Sequence, residues 1–104
     1  MIARVWRGWT RAQDADAYTR YIENTGLSAY RSTPGNQGAW LMRRDEQDRT
    51  EFVTLSFWRS WDAVRAFAGD EVDRAVFYPE DERFLVARED FVTHYTVADE
   101  PARA

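Results

Sequence analysis

Residues 2–9 alternate between two faces. Ile2, Arg4, Trp6 and Gly8 fall on one, and Ala3, Val5, Arg7 and Trp9 on the other. That period of two predicts a strand with a large apolar group on each side. From Ala15 the period lengthens. Ala15, Tyr18, Ile22, Thr25 and Ala29 share one helical face. Asp14 and Asp16 sit where a helix dipole favours negative charge, and Thr10 or Asp14 is the expected cap. Thr33-Pro34-Gly35 ends the helix, because the residue before a proline avoids the helical region. Residues 38–44 predict a second strand, with Trp40 and Met42 opposite Ala39 and Leu41, and Asp45–Arg49 form a polar hairpin loop. Residues 51–58 are the strongest strand signal, with Val53, Leu55 and Phe57 on one face and Phe52, Thr54, Ser56 and Trp58 on the other. Ser60 then caps a second helix, whose buried stripe is Trp61, Val64, Phe67 and Ala68 and whose end is Gly69. Val72, Ala75 and Val76 predict a further helical turn. Pro79 followed by Glu80-Asp81-Glu82 reads as a proline-led acidic first turn. Residues 91–97 close the chain as a last strand.

The order β-α-β-β-α-(α)-β predicts an α+β, ferredoxin-like domain: a four-stranded antiparallel sheet with helices on one face. The domain is expected over residues 1–98, with residues 99–104 as a solvated tail. Helices on one face leave the other bare, yet each strand carries apolar groups on both. A large bare apolar face marks an interaction surface. The economical partner is a second copy, sheet against sheet, giving a two-fold homodimer.

Composition narrows the chemistry. The 104 residues hold no cysteine, which excludes a disulfide framework, a thiolate metal site and a cysteine nucleophile. A single histidine excludes a multi-histidine metal site within one chain. The net charge of −4 argues against nucleic acid or an anionic membrane as partner. Arg4 and Arg7 interrupt any signal-peptide core, and no apolar run is long enough to span a bilayer, so the expected location is cytoplasmic. Five Trp, five Tyr and six Phe place the chain among folded proteins.

The first strand Ile2–Thr10, the turn Pro34-Gly35-x-x-Gly38, the run Glu51–Trp58 followed by Ser60, and the closing His94-Tyr95 together resemble the antibiotic biosynthesis monooxygenase family over roughly residues 2–97. The resemblance implies a dimeric α+β barrel, in agreement with the reading above. It also implies functions that range from oxygenases acting on anthrone-like polyketides without a cofactor, through quinol oxygenases, to haem degradation. For the haem-degrading branch it implies an Asn, a Trp and an axial His. Here those positions fall near Val5, on Phe67 and near Phe77. All three residues are absent and haem needs an axial donor, so haem is not expected.

His94 is the one side chain that ordinarily titrates near neutrality. Facing a cleft between sheet and helices, it would take a proton from a phenolic or anthrone substrate, whose anion then reduces O2. Facing a neighbour, it is a structural hydrogen-bonding group. Arg7 is the expected anion stabiliser, unless it pairs with an acidic residue. Trp58, Phe67, Tyr18 and Tyr78 are expected pocket walls for a flat aromatic ligand, with ordinary core packing as the alternative. The Glu80–Glu82 run reads as helix-start charge and not as a metal site. The expectation is thus a homodimeric monooxygenase using O2 on an aromatic small molecule, with no cofactor and no metal. The alternatives are a non-catalytic binding dimer and a cofactor-free isomerase or cyclase.

Overall fold

β1 (Ile2–Arg11) lies inside the sheet, as its two apolar faces demand. The computed structural model describes residues 1–101. β2 (Asn36–Asp45) and β3 (Arg49–Trp58) form the expected hairpin, and β3 pairs antiparallel with β1 from Ile2↔Trp58 to Arg11↔Arg49. The other edge of β1 carries two short strands. β4 (Leu85–Arg88) pairs with Gly8–Thr10, and β5 (Thr93–Thr96) with Ile2–Val5. The order β2-β3-β1-β4 is the ferredoxin-like one, and β5 shares the β4 edge. The expected last strand, residues 91–97, is thus shortened to β5, and β4 is a strand the sequence did not lead us to expect. Glu89–Val92, four residues, lie opposite only Trp6 and Arg7, so the edge bulges there.

The helical segment after β1 runs as α1 (Ala15–Ile22), a π-helical turn over Glu23–Leu27 and α2 (Ser28–Ser32). A π turn inserts a residue into the helical register. The buried face therefore passes from Ala15, Tyr18 and Ile22 to Gly26, Leu27 and Tyr30, not to the expected Thr25 and Ala29. Neither expected cap forms: Asp14 makes no capping bond, and the Thr10 hydroxyl donates to its neighbour's carbonyl. α3 (Trp61–Ala68) is capped as expected, Ala63 N–H donating to Ser60 Oγ at 3.2 Å. Gly69 closes it at φ 83°. Val64 is fully buried, but Trp61 at the first turn is exposed, contrary to its expected place on the stripe.

No helix forms over 72–76. Arg74 bridges to Phe91, Val92 N–H donates to Asp73 O and Ala75 N–H donates to Asp90 O, so the segment's backbone groups serve the bulged sheet edge. The acidic turn is α4 (Asp81–Phe84), with Glu80 rather than Pro79 leading directly into it. Ile2, Trp6, Phe52 and Trp58 from the sheet pack with Tyr18, Leu27, Tyr30 and Val64 from the helices as one core. The opposite sheet face has no cover. Trp40, Met42 and Tyr95 stand about half exposed there. The expected tail ends in residues 102–104, which lie outside the described residues. No helix among the described residues is long and apolar enough to cross a membrane.

Candidate active site

The register Arg4↔His94 puts both side chains on the helix-covered face of the sheet. Arg4 Nη1 lies 3.0 Å from His94 Nε2, and His94 Nδ1 lies 3.0 Å from Asp73 Oδ1. A guanidinium only donates, so Nε2 accepts, and the neutral ring carries its proton on Nδ1 and gives it to the carboxylate. Burial lowers the His94 pKa below the ordinary histidine value. Arg4 pushes the same way, while the hydrogen bond to Asp73 opposes. Arg4 is itself buried. It also donates to Val72 O at 2.5 Å and to Arg74 O at 3.1 Å, and its plane lies over Phe67. Its Nε is buried without a partner, and desolvation lowers its pKa.

Arg7 takes the other face of β1. It is half exposed and lies 3.7 Å from Glu89, the acidic pairing weighed against an anion-stabilising role, and it does not share a face with His94. Alternation along a strand separates positions 4 and 7, and Arg4 is the arginine that shares a face with His94. Nor does His94 line a cavity. Both its nitrogens are engaged with Arg4 and Asp73, and its ring meets Trp61 edge-on.

A partly closed cavity between sheet and helices lies elsewhere, among Trp6, Tyr18, Tyr30, Thr54, Tyr78 and Asp81. Its volume is about 20 Å³, room for about one water. Two of the four expected pocket walls, Tyr18 and Tyr78, stand on it. Trp58 and Phe67 do not: their rings pack on each other and on Tyr30, and Trp58 Nε1 donates to Ser56 Oγ within the core. Phe77, near the position where the haem-degrading pattern expects histidine, also lines the cavity.

The polar centre of the cavity is Asp81, which helix-start reasoning set aside. It is 5% exposed. Its Oδ1 accepts from the Tyr18 hydroxyl at 2.9 Å, and its Oδ2 accepts from Tyr78 N–H at 2.7 Å. Burial and the adjacent carboxylate raise the Tyr18 pKa far above the ordinary tyrosine value, so the phenol stays protonated. Phe77, Tyr78 and Asp81 also line an outer groove of about 420 Å³, so these three residues separate cavity from groove. A sequence signal for the run existed: an acidic residue three positions after Tyr78, across a proline, is placed to reach back to its N–H as in a capping box. Nothing in the sequence marked which acid of the run would be buried.

No family model and no curated protein matches the chain. Solved structures do. A candidate antibiotic biosynthesis monooxygenase from Bacillus cereus superposes with a TM-score of 0.66 at 10% identity, over 98% of this chain and 97% of its own. The haem-degrader MhuD from Mycobacterium tuberculosis, with two haems bound in its active site, gives 0.64 at 14% identity, over 98% and 100%. A point mutant of SnoaB, a cofactor-independent oxygenase from Streptomyces nogalater, gives 0.61 at 17%, over 95% and 94%. The chain has the fold of antibiotic biosynthesis monooxygenase-like proteins.

These likenesses correct one expectation. The absence of a cofactor and of haem was argued from missing residues, but the same fold holds haem in MhuD and dispenses with a cofactor in SnoaB. The fold therefore does not select cofactor-free chemistry. As an axial ligand, His94 does not fit in this arrangement, because both ring nitrogens already have protein partners.

Proposed function

We propose that this chain is an oxygenase for an aromatic, phenolic small molecule of the hydroxyanthrone type, bound where Tyr18 and Asp81 meet. The observation that carries the reading is the buried Tyr18–Asp81 hydrogen bond at the wall of an aromatic-lined cavity. A flat ligand needs apolar walls and a few convergent polar groups. Here Trp6, Tyr30 and Tyr78 supply the walls, and Tyr18, Thr54 and Asp81 the polar groups.

The chemistry follows from the pair. An acidic ring methylene loses a proton to the Tyr18 oxygen as the tyrosine's own proton passes to Asp81. The phenol never becomes a free phenolate, in keeping with its raised pKa. The substrate anion is the electron donor to O2. Overall, the ring methylene and one molecule of O2 give a ring carbonyl and one molecule of water. The carbon loses four electrons and both its hydrogens; one oxygen atom enters the product and the other leaves as the water. The base is therefore assigned to the Tyr18–Asp81 pair and not to His94. Oxygen uptake with hydroxyanthrones and hydroquinones tests this. The expected result is quinone formation with one O2 consumed per anthrone. Conversion under anaerobic conditions would favour an isomerase or cyclase, and binding without conversion a ligand-binding protein; either overturns the reading.

We propose also that the open sheet face pairs with a second copy. Trp40, Met42, Leu55 and Phe57 enclose a shallow apolar groove on it, and Trp40 packs edge-on against Phe57 at 5.7 Å. An apolar face of this kind is costly to leave in water.

A further inference from the structure

The segment between α3 and α4 crosses the cavity. Ala75, Val76, Phe77 and Tyr78 are part of its lining. The segment is fastened at two ends. At one, Arg4 donates to the carbonyls of Val72 and Arg74, His94 bonds the Asp73 side chain, and Val92 N–H donates to Asp73 O at 2.7 Å. At the other, Tyr78 N–H donates to Asp81, and Glu80 N–H to the Tyr21 hydroxyl at 3.0 Å.

We infer that residues 72–78 form a lid over the Tyr18–Asp81 cavity, and that neutral His94, wedged between Arg4 and Asp73, latches it shut until the imidazole is protonated. The inference rests on the reading of that cavity as the ligand site. It also answers a difficulty in that reading, since about 20 Å³ admits no aromatic molecule. Phe77 and Tyr78 are what separate the cavity from the 420 Å³ groove outside. Drawn aside, they join the two into a space within the range of small-molecule sites.

The latch depends on the protonation state by simple valence. The neutral ring accepts from Arg4 at Nε2 and donates to Asp73 at Nδ1. An imidazolium has no acceptor, so it would set an N–H against the guanidinium 3.0 Å away. The charged groups facing the ring among the described residues are Arg4 from β1 and Asp73 from the lid; α3 contributes the uncharged Trp61 ring. The Asp73 side chain is 72% exposed while that of His94 is 5% exposed, so the carboxylate's field is screened where the repulsion is not. With the lid closed the imidazolium stays set against Arg4; opening carries Asp73 away, breaks the bond from Val92 N–H to the Asp73 backbone and frees the ring to be solvated.

The direction with pH follows. Burial, with Arg4, holds the closed-state pKa of His94 below 6.5, so the open state binds the proton more tightly. Closure is fully favoured above 6.5 and weakens as pH falls from 6.5 toward the depressed value.

Amide hydrogen exchange on the ligand-free protein tests the latch. Protection at Val92 and Ala75, corrected for intrinsic exchange, should fall by up to about tenfold from about pH 7.5 to about 5.5 while amides of β3 hold. His94→Gln, which cannot titrate, should show no such fall. Asp73→Asn, at an exposed position, removes the anion that favours the imidazolium in the closed state, lowers the closed-state pKa further and should enlarge the fall. It decides alone if the His94 variant does not fold. Constant protection in the native protein overturns the latch, as does an equal fall in folded His94→Gln or a smaller fall in Asp73→Asn. No ligand enters this measurement. Failure of dithranol, a dihydroxyanthrone, to bind at the acid end of that range with a demonstrably open lid would count against the proposed site alone.

Discussion

The Tyr18–Asp81 pair makes a quantitative prediction that joins stability to chemistry. Tyr18→Phe leaves Asp81 Oδ1 without its donor at a position 5% exposed. A hydrogen bond to a buried charged group contributes about 1.5–3 kcal/mol, so a loss of about 2 kcal/mol is expected. Asp81→Asn is expected to cost less, about 1 kcal/mol. The amide can turn its oxygen to Tyr78 N–H and its nitrogen to the Tyr18 oxygen, which keeps both bonds but reverses the second. In the double variant the Asn nitrogen faces a phenyl ring, so the two losses are not additive and a coupling of about 1 kcal/mol is expected. Urea unfolding followed by tryptophan fluorescence, at fixed protomer concentration, measures all four corners. A coupling indistinguishable from zero would show that the two side chains act independently, and the proton relay built on them would fall with it. If the pair is formed and also catalytic, Asp81→Asn should lower turnover by about 10²–10⁴-fold, the usual contribution of a positioned base, for a stability loss of only about 1 kcal/mol.

Trp40→Arg places a charge at the centre of the uncovered apolar groove. Sedimentation velocity should show a dimer for the native chain and a monomer for the variant; a native monomer at high micromolar concentration would refute the pairing. Ser60→Ala removes the cap on Ala63 N–H. It should cost about 1 kcal/mol, or about 5 °C in Tm, with secondary structure unchanged by circular dichroism. Gly8→Ala sets a Cβ against the Trp6 ring, with the Leu85 side chain 3.1 Å away. Overpacking of this kind costs about 1–3 kcal/mol in chemical denaturation, and a neutral result would mean that Trp6 is free to move.

Strand faces were legible because each is set by alternation alone. Residues 4, 6, 52 and 58 turn inward and residues 40, 42, 55 and 57 outward, as the period of two requires. Ser60 and Gly69 were legible because capping and left-handed backbone are local demands. The π turn was not: Glu23–Leu27 carries nothing that distinguishes an inserted residue from regular helix, and the error appears only as Thr25 and Ala29 yielding to Leu27 and Tyr30. Segment 72–76 has helical spacing but its hydrogen bonds go to residues far along the chain, which no local rule foresees. Which face of the last strand turned inward stayed open, and the engagement of His94 depended on Arg4 and Asp73, 90 and 21 residues away. Asp81 was hidden for the same reason, its partner Tyr18 lying 63 residues earlier.

The interrupted edge strand connects these failures. Had residues 85–96 continued as one regular strand, Glu89–Val92 would pair one-to-one with β1 and their remaining backbone groups would face outward. Because four residues stand opposite two, the bulge presents Asp90 O and Val92 N–H to the lid, and both are taken, by Ala75 N–H and Asp73 O. Glu89 anchors the bulge to β1. It accepts from Trp6 Nε1 through its carbonyl and from Arg7 N–H through its carboxylate, and its own N–H donates to Arg7 O. Arg7, expected as an anion stabiliser, thereby helps fix the element on which the lid docks. The same bulge brings His94 opposite Arg4 instead of opposite Ile2, and because the slip of two is even the imidazole stays on the inner face. The irregularity in the sheet thus places both the cover of the cavity and the one group able to release it near neutral pH.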